Sequence, residues 1–254
     1  MDQNHLHALK KAELENEVAA LGDCFHGADL LEIGAGTGYQ LSLLAKTCKS
    51  TTGVDLPSSN YARDRLMPII DYDGNRLPFA DQSFDVIFTS SVLEHVVDLP
   101  RFHQEMHRVL RKEGIAVHIV PTHIWRLWTL LAHYPALPKT ILGALKARSQ
   151  ANIETTNEKP RSLLSKLIAV LIPPRHGERG NGFTEIYYFR PSHWERQFRD
   201  NGWVINRSTP TGLFQTGYCL FGLALPITWR TKLAKILGSA CRTYVLSPLV
   251  RGSS

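Results

Sequence analysis

The stretch Leu31-Glu32-Ile33-Gly34-Ala35-Gly36-Thr37-Gly38 decides the fold. Asp29 to Ile33 ahead of it, with Leu30, Leu31 and Ile33 apolar, predicts a short buried strand. Behind it, Tyr39 to Thr47 places Leu41, Leu44 and Ala45 on one helical face. A strand that enters a glycine-rich turn and leaves it as a helix is the opening unit of an α/β sheet. Glycine admits positive φ and lets a ligand approach the main chain. Taken alone, the loop also reads as a plain tight turn. Its spacing is G-x-G-x-G, whereas the dinucleotide fingerprint needs its third glycine one place later, where Tyr39 stands.

Outward from the loop, strands are expected at Thr51–Val54, Met67–Ile70, Phe84–Thr89, Ile115–Val120, Trp203–Arg207 and Arg242–Leu246. Pro68 weakens the second of these. A helix over Asp2–Leu21 is expected to cover one edge of the domain. Asp98 is expected to cap a helix whose inner stripe is Phe102, Met106, Val109 and Leu110, with Gly114 as its stop. Ser192 and Glu195 have capping-box spacing for another. Strands alternating with helices at these intervals predict a mostly parallel, seven-stranded α/β sheet. The rhythm breaks after Pro121. The expected organisation is a core over residues 1–121, a basic, apolar helical insertion or lid over 122–186, and a C-terminal part of the core over 187–254 with a helical excursion at 212–240.

Three acids stand at or beyond the ends of these strands, where open α/β sheets bind ligands. Glu32 precedes the first glycine by two. Asp55 closes the second strand, where a carboxylate can accept from both hydroxyls of a ribose, although a helix cap is the alternative. Asp73-Gly74 follows the third strand and suits an adenine amino group, but Asp-Gly is also a turn signal.

With LEIGAGTG, the Val54-Asp55 pair and DGNRLPFADQSFDVIFTSSVLEHV in place, the chain resembles the small-molecule class I SAM-dependent methyltransferases. The resemblance covers residues 28–121, and 189–205 more loosely. It implies a Rossmann-like fold and S-adenosylmethionine (SAM) as cofactor. It further implies that Glu32, Gly34, Gly36 and Gly38 line the methionine and ribose side. Asp55 and Leu56 would take the ribose and adenine, Asp73 and Gly74 the adenine, and Ser90 and Ser91 the methionine and sulfonium.

Methyl transfer demands alignment and exclusion of water, and a base only for a weak nucleophile such as a hydroxyl. The candidate bases are His95, His118, His123, His176, Glu178 and Glu185, with His123 and His176 ahead of the rest. His95 also reads as a structural residue beneath the site, and His118 as a buried one. No metal is expected, because no His, Asp or Glu group has ligand spacing along the chain.

The formal net charge of +6 is carried by residues 124–180, where nine Lys or Arg stand against three acids. A local basic excess suits an anionic partner or a solvated face. Three segments pair basic residues with apolar ones: 123–134, Arg161–Ile172 and Thr228–Leu237. Such helices either lie on an anionic membrane or pack as a small lid. Ser208–Trp229 has membrane length without charge, but its prolines and glycines exclude a span. The four cysteines form no CxxC pair and the start shows no signal peptide, so a cytoplasmic protein with reduced thiols is expected, peripheral on the inner membrane face if the basic helices bind there.

The expected function is methyl transfer to a small or amphiphilic acceptor, with a lipid-linked or glycan intermediate as the leading class. RNA methylation, through Trp125, Trp128 and Tyr134 as stacking groups, stays open. So do a silent SAM-binding scaffold and, at fold level, a nicotinamide oxidoreductase.

Overall fold

The structure is a computed structural model that describes residues 3–150, 171–217 and 224–249, with the backbone alone described at 3–5, 17–23 and 139–150. The elements run α1 (Gln3–Phe25), β1 (Asp29–Ile33), α2 (Tyr39–Leu44), β2 (Ser50–Asp55), β3 (Ile69–Asp71) and β4 (Phe84–Ser90). A single 3-10 turn follows at Leu93–His95, then α3 (Leu99–Val109), β5 (Leu110–Pro121) and α4 (His123–Gln150). The chain closes with α5 (Glu185–Tyr188), α6 (Pro191–Asp200), β6 (Trp203–Pro210), α7 (Ile227–Leu237) and β7 (Cys241–Pro248).

The seven strands form one sheet in the order β3-β2-β1-β4-β5-β7-β6. β3, β2, β1, β4 and β5 are parallel, and β7 runs antiparallel between β5 and β6. The expected mostly parallel, seven-stranded α/β sheet is the one observed. The central strands are covered on both faces, so their residues are apolar in succession rather than alternately. Leu30, Leu31, Ile33, Ile87, Phe88, Ala116, Val117 and Ile119 have no exposed surface. The order reverses between β1 and β4, and a ligand crevice opens at such a switch point, beyond the strands' carboxyl ends.

Three local expectations need correction. The third strand is Ile69–Asp71, shifted past Pro68, which has no N–H to give a sheet. Gly114 does not stop α3, which ends at Val109 and passes straight into β5. Instead it lets β5 pass close to β4: a Cβ there would stand 2.8 Å from the Asp85 carbonyl oxygen and 2.7 Å from Leu110 Cδ1. Ser192 and Glu195 form no capping box, because α6 begins at Pro191 with Arg190 as cap, two residues ahead of Ser192. Glu195 pairs instead with Arg199, one turn on, at 3.4 Å. The Asp98 cap is present, accepting from the Arg101 amide at 3.1 Å.

α1 does not lie along an edge of the domain. It crosses the crevice, with Leu9 and Leu14 buried beneath it. His7 stacks on Tyr39 with ring centroids 4.2 Å apart and planes 5° from parallel. No helix among the described residues is long and apolar enough to cross a membrane. Most of the Arg161–Ile172 segment, and Cys219, lie outside the described residues, whereas Cys24, Cys48 and Cys241 are free thiols.

Candidate functional site

A cavity of about 780 Å³ occupies the crevice. The turn after β1 builds one end. The amides of Gly34 and Ala35 both donate to the Val54 carbonyl, at 2.9 and 3.1 Å, so β2 holds the turn down. Gly34 has φ +74°, and any side chain there would run into Val92. Asp55, at the end of β2, pins the next residues: Oδ2 accepts from Gly36 N–H at 3.0 Å and Oδ1 from Leu56 N–H at 2.8 Å. A carboxylate oxygen has room for a second donor, so Asp55 keeps acceptor capacity toward the cavity. Leu56, Tyr61, Tyr72 and Gly74 continue the wall.

Beyond β4 the chain turns sharply. Ser91 has φ +58°, a conformation few non-glycine residues take and one that collects at functional sites. Its amide donates to the Ile119 carbonyl at 2.9 Å. Ser90 and Ser91 both line the cavity and both accept from Lys10, at 2.8 and 3.1 Å. Burial works against the Lys10 charge, but Glu13, 3.3 Å away, outweighs it and the ammonium pKa is raised.

The far end of the cavity is formed by Pro121, Trp125, Glu94, His95 and His176. The His176 ring lies 4.6 Å from that of Trp125 and 4.9 Å from that of His95. The loop bearing His176 is anchored from below. Glu185 Oε1 accepts from the amides of His176 and Gly177, both at 2.6 Å, and Glu185 Oε2 pairs with Arg126 Nε at 3.1 Å. Arg126 also donates to the carbonyls of Gly182 and Pro174. Glu178 N–H closes the loop onto the Glu94 carbonyl at 2.8 Å.

Of the residues singled out from sequence, Gly34, Gly36, Asp55, Leu56, Gly74, Ser90, Ser91 and His176 line one cavity. Four do not. Glu32 is buried beneath the glycine turn. Gly38 opens α2 at φ +75°, where a Cβ would stand 2.9 Å from Met67 Cβ, so its place is helix packing. Asp73 is the turn residue its dipeptide allowed: Oδ1 accepts from Asn75 and Arg76 amides at 2.8 and 2.9 Å, which lowers its pKa. His123 faces a second, smaller pocket beside Pro191, Lys235 and Arg242. Residues two apart on a helix point to nearly opposite sides, and it is Trp125 that meets the cavity.

The other candidate bases separate by place. His118 is fully buried, bonded to Thr89 Oγ1 at 2.8 Å and stacked on Phe198, and burial drives its pKa well down. Glu185 is spent on its loop, and Glu178 pairs with Arg175 at 3.0 Å. His95 is no residue packed beneath the site: its side chain is 44% exposed and lines the cavity. Lys10 and Glu94 were missed as site residues, and Trp125 was read only as a stacking group for RNA. Only the adjacent Glu94-His95 pair offered a signal, since the rest depends on which helix crosses which strand end.

Glu32 makes a testable contribution. Burial, with Asp55 nearby, overrides the opposing Lys10 charge and raises its pKa from 4.5 to about 8. The folded state then holds a proton that the unfolded state has lost between these values. Stability from this group is complete below about 4.5 and disappears as pH rises through about 8. Glu32→Gln is expected to flatten the ligand-free melting profile across that window. A profile unchanged in slope would show that Glu32 ionises normally.

Comparison with known proteins agrees with this geometry. Residues 31–118 match the family described as "Methyltransferase domain". A Mycolicibacterium smegmatis protein named "probable S-adenosylmethionine-dependent methyltransferase" is 36% identical over 102 residues, covering 39% of this chain and 40% of that protein. A Mycobacterium tuberculosis protein of the same description is 33% identical over 100 residues, covering 38% and 36%. The chain thus spans about two fifths of the length of the curated relatives it matches. A SAM-dependent methyltransferase structure from Thermotoga maritima superposes with a TM-score of 0.53 at 17% identity, covering 96% and 91% of the two chains. One from Mesorhizobium loti gives 0.51 at 15%, covering 91% and 97%. Residues 31–118 thus match a methyltransferase domain, set on a Rossmann-like sheet, and the named relatives of that region are SAM-dependent methyltransferases, so SAM is the cofactor.

Proposed function

We propose that the protein transfers a methyl group from SAM to an amphiphilic acceptor. The observation that carries this reading is the single cavity running from the Gly34–Asp55 end to the Trp125–His176 end. The first end fits the cofactor, with a turn that tolerates no side chain at Gly34 and a carboxylate at Asp55. Bound SAM supplies a methyl group already activated on a sulfonium. The chain then has to align the two partners and exclude water. Gly36 and Asp55 orient the ribose, and Ser90 and Ser91 flank the methionine. Trp125 supplies an apolar wall for the acceptor, with His95 and His176 as the polar groups beside it. α1, held across the opening by His7 and Lys10, keeps solvent out.

Support for an amphiphile comes from outside the cavity. On α4, Leu127, Leu131 and Tyr134 form an exposed apolar stripe at helical spacing. On α7, Trp229 and Ile236 are exposed, and Lys232 stands 5.1 Å above the Trp229 ring. Exposed apolar side chains with a lysine at their edge suit an anionic membrane surface.

The test is transfer of labelled methyl from SAM into host lysate, divided between organic and aqueous phases, with Asp55→Ala as control. Label in the organic phase, lost in the variant, is the expected result. Label confined to the aqueous phase would overturn the amphiphile and direct attention to sugars, small metabolites or RNA.

A further inference from the structure

We propose that Glu94, His95 and His176 bind a divalent transition-metal ion at the acceptor end of the cavity. Their donor atoms converge: one carboxylate oxygen and two imidazole nitrogens all lie within 4.8 Å of one another. His176 Nε2 is 3.8 Å and His95 Nε2 is 3.9 Å from the same oxygen, Glu94 Oε1. These separations are too long for hydrogen bonds. They are a few tenths of an ångström wider than the roughly 3.3–3.5 Å between donors on a four-coordinate ion with bonds of about 2.0–2.2 Å. Both rings are partly exposed, and a rotation of each side chain would close that gap.

Glu94 is the independent observation. Its side chain is 0% exposed, and neither carboxylate oxygen has a hydrogen-bond partner. Burying a carboxylate without donors is costly, and a buried carboxylate that keeps its charge is paired or bound to a metal ion. Lys10, a nearby ammonium, is already engaged by Ser90, Ser91 and Glu13. The scaffold is rigid where the site needs it. Glu94 and His95 sit in the 3-10 turn that follows β4, and the His176 loop is fixed by Glu185, by Arg126 and by the Glu94 carbonyl.

Two imidazoles and one carboxylate suit zinc, iron(II), cobalt(II) or manganese(II), and leave coordination positions open. The three donors line the cavity, so an acceptor oxygen would have access to the remaining positions. Coordination there would fix the oxygen and make its proton more acidic, which a hydroxyl acceptor needs. That role rests on the methyl-transfer reading; the ion site itself does not. Sequence spacing gave no metal because the third donor lies 81 positions after its neighbour in space.

The experiment titrates metal-stripped full-length protein with cobalt(II), read by its visible absorption, with SAM binding measured in parallel by calorimetry. One saturable equivalent is expected. His95→Ala and His176→Ala, at partly exposed positions, should each weaken it by about 10-fold or more. His123→Ala, outside the cavity, should leave it unchanged. No saturable binding, or binding that persists in the His95→Ala/His176→Ala protein, overturns the proposal. Intact SAM binding without cobalt binding would refute the ion site alone. Cobalt binding without SAM binding would refute the methyltransferase reading alone.

Discussion

Replacing Asp55 by alanine is expected to weaken SAM binding at least about 100-fold. The carboxylate has two tasks, and the substitution removes both. It accepts from Gly36 and Leu56 amides at 3.0 and 2.8 Å, which ties the glycine turn to the end of β2. Its remaining acceptor positions face the cavity, where on the proposed reading the ribose of SAM would present two hydroxyls. A hydrogen bond to a charged group contributes roughly 1.5–3 kcal/mol. Losing two therefore costs about 3 kcal/mol or more, which is a factor of 100 upward in affinity. The Gly36 amide would also lose its acceptor, loosening the turn that lies against the ligand. Asp55→Asn keeps one acceptor oxygen and should fall between the two. Calorimetry with SAM decides the matter: a Kd within about threefold of the wild type would remove Asp55 from the cofactor site.

The place of Asp55, at a strand end on the cavity wall, was legible from sequence because it is local. A strand end is visible in the pattern of Thr51 to Val54, and an acid there reads as a ligand group or a helix cap. The glycine turn and the central strands were legible for the same reason, since buried parallel strands appear as unbroken apolar runs. What failed was whatever depends on phase or on tertiary approach. His123 and Trp125 differ by two positions, and only the placement of α4 decides which enters the cavity. Glu94 and His176 meet because a loop far along the chain folds back onto a 3-10 turn. Lys10 reaches Ser90 because α1 crosses the sheet instead of flanking it. Gly114 read as a helix stop because glycine marks such ends, whereas here it answers a close contact between strands.

Arg126→Met is expected to destabilise the protein by about 3–5 kcal/mol and to disorganise the acceptor end while sparing the cofactor end. Arg126 is 2% exposed and its partner Glu185 is fully buried. Removing one member of a buried pair leaves an uncompensated charge, which is why the cost is large. In a chain of this size that corresponds to a fall in Tm of roughly 10 °C. The damage should be local in form. Arg126 holds the carbonyls of Pro174 and Gly182, and Glu185 holds the amides of His176 and Gly177. Faster amide exchange is therefore expected over residues 174–189. The bonds around Gly34, Gly36 and Asp55 involve neither residue, so SAM affinity should change little. Combining Arg126→Met with Glu185→Gln removes the stranded charge but keeps a carbonyl for the two amides, and should recover part of the loss. An unchanged Tm in the single variant would mean that the pair does not hold the His176 loop, and the acceptor end would then need another source of rigidity.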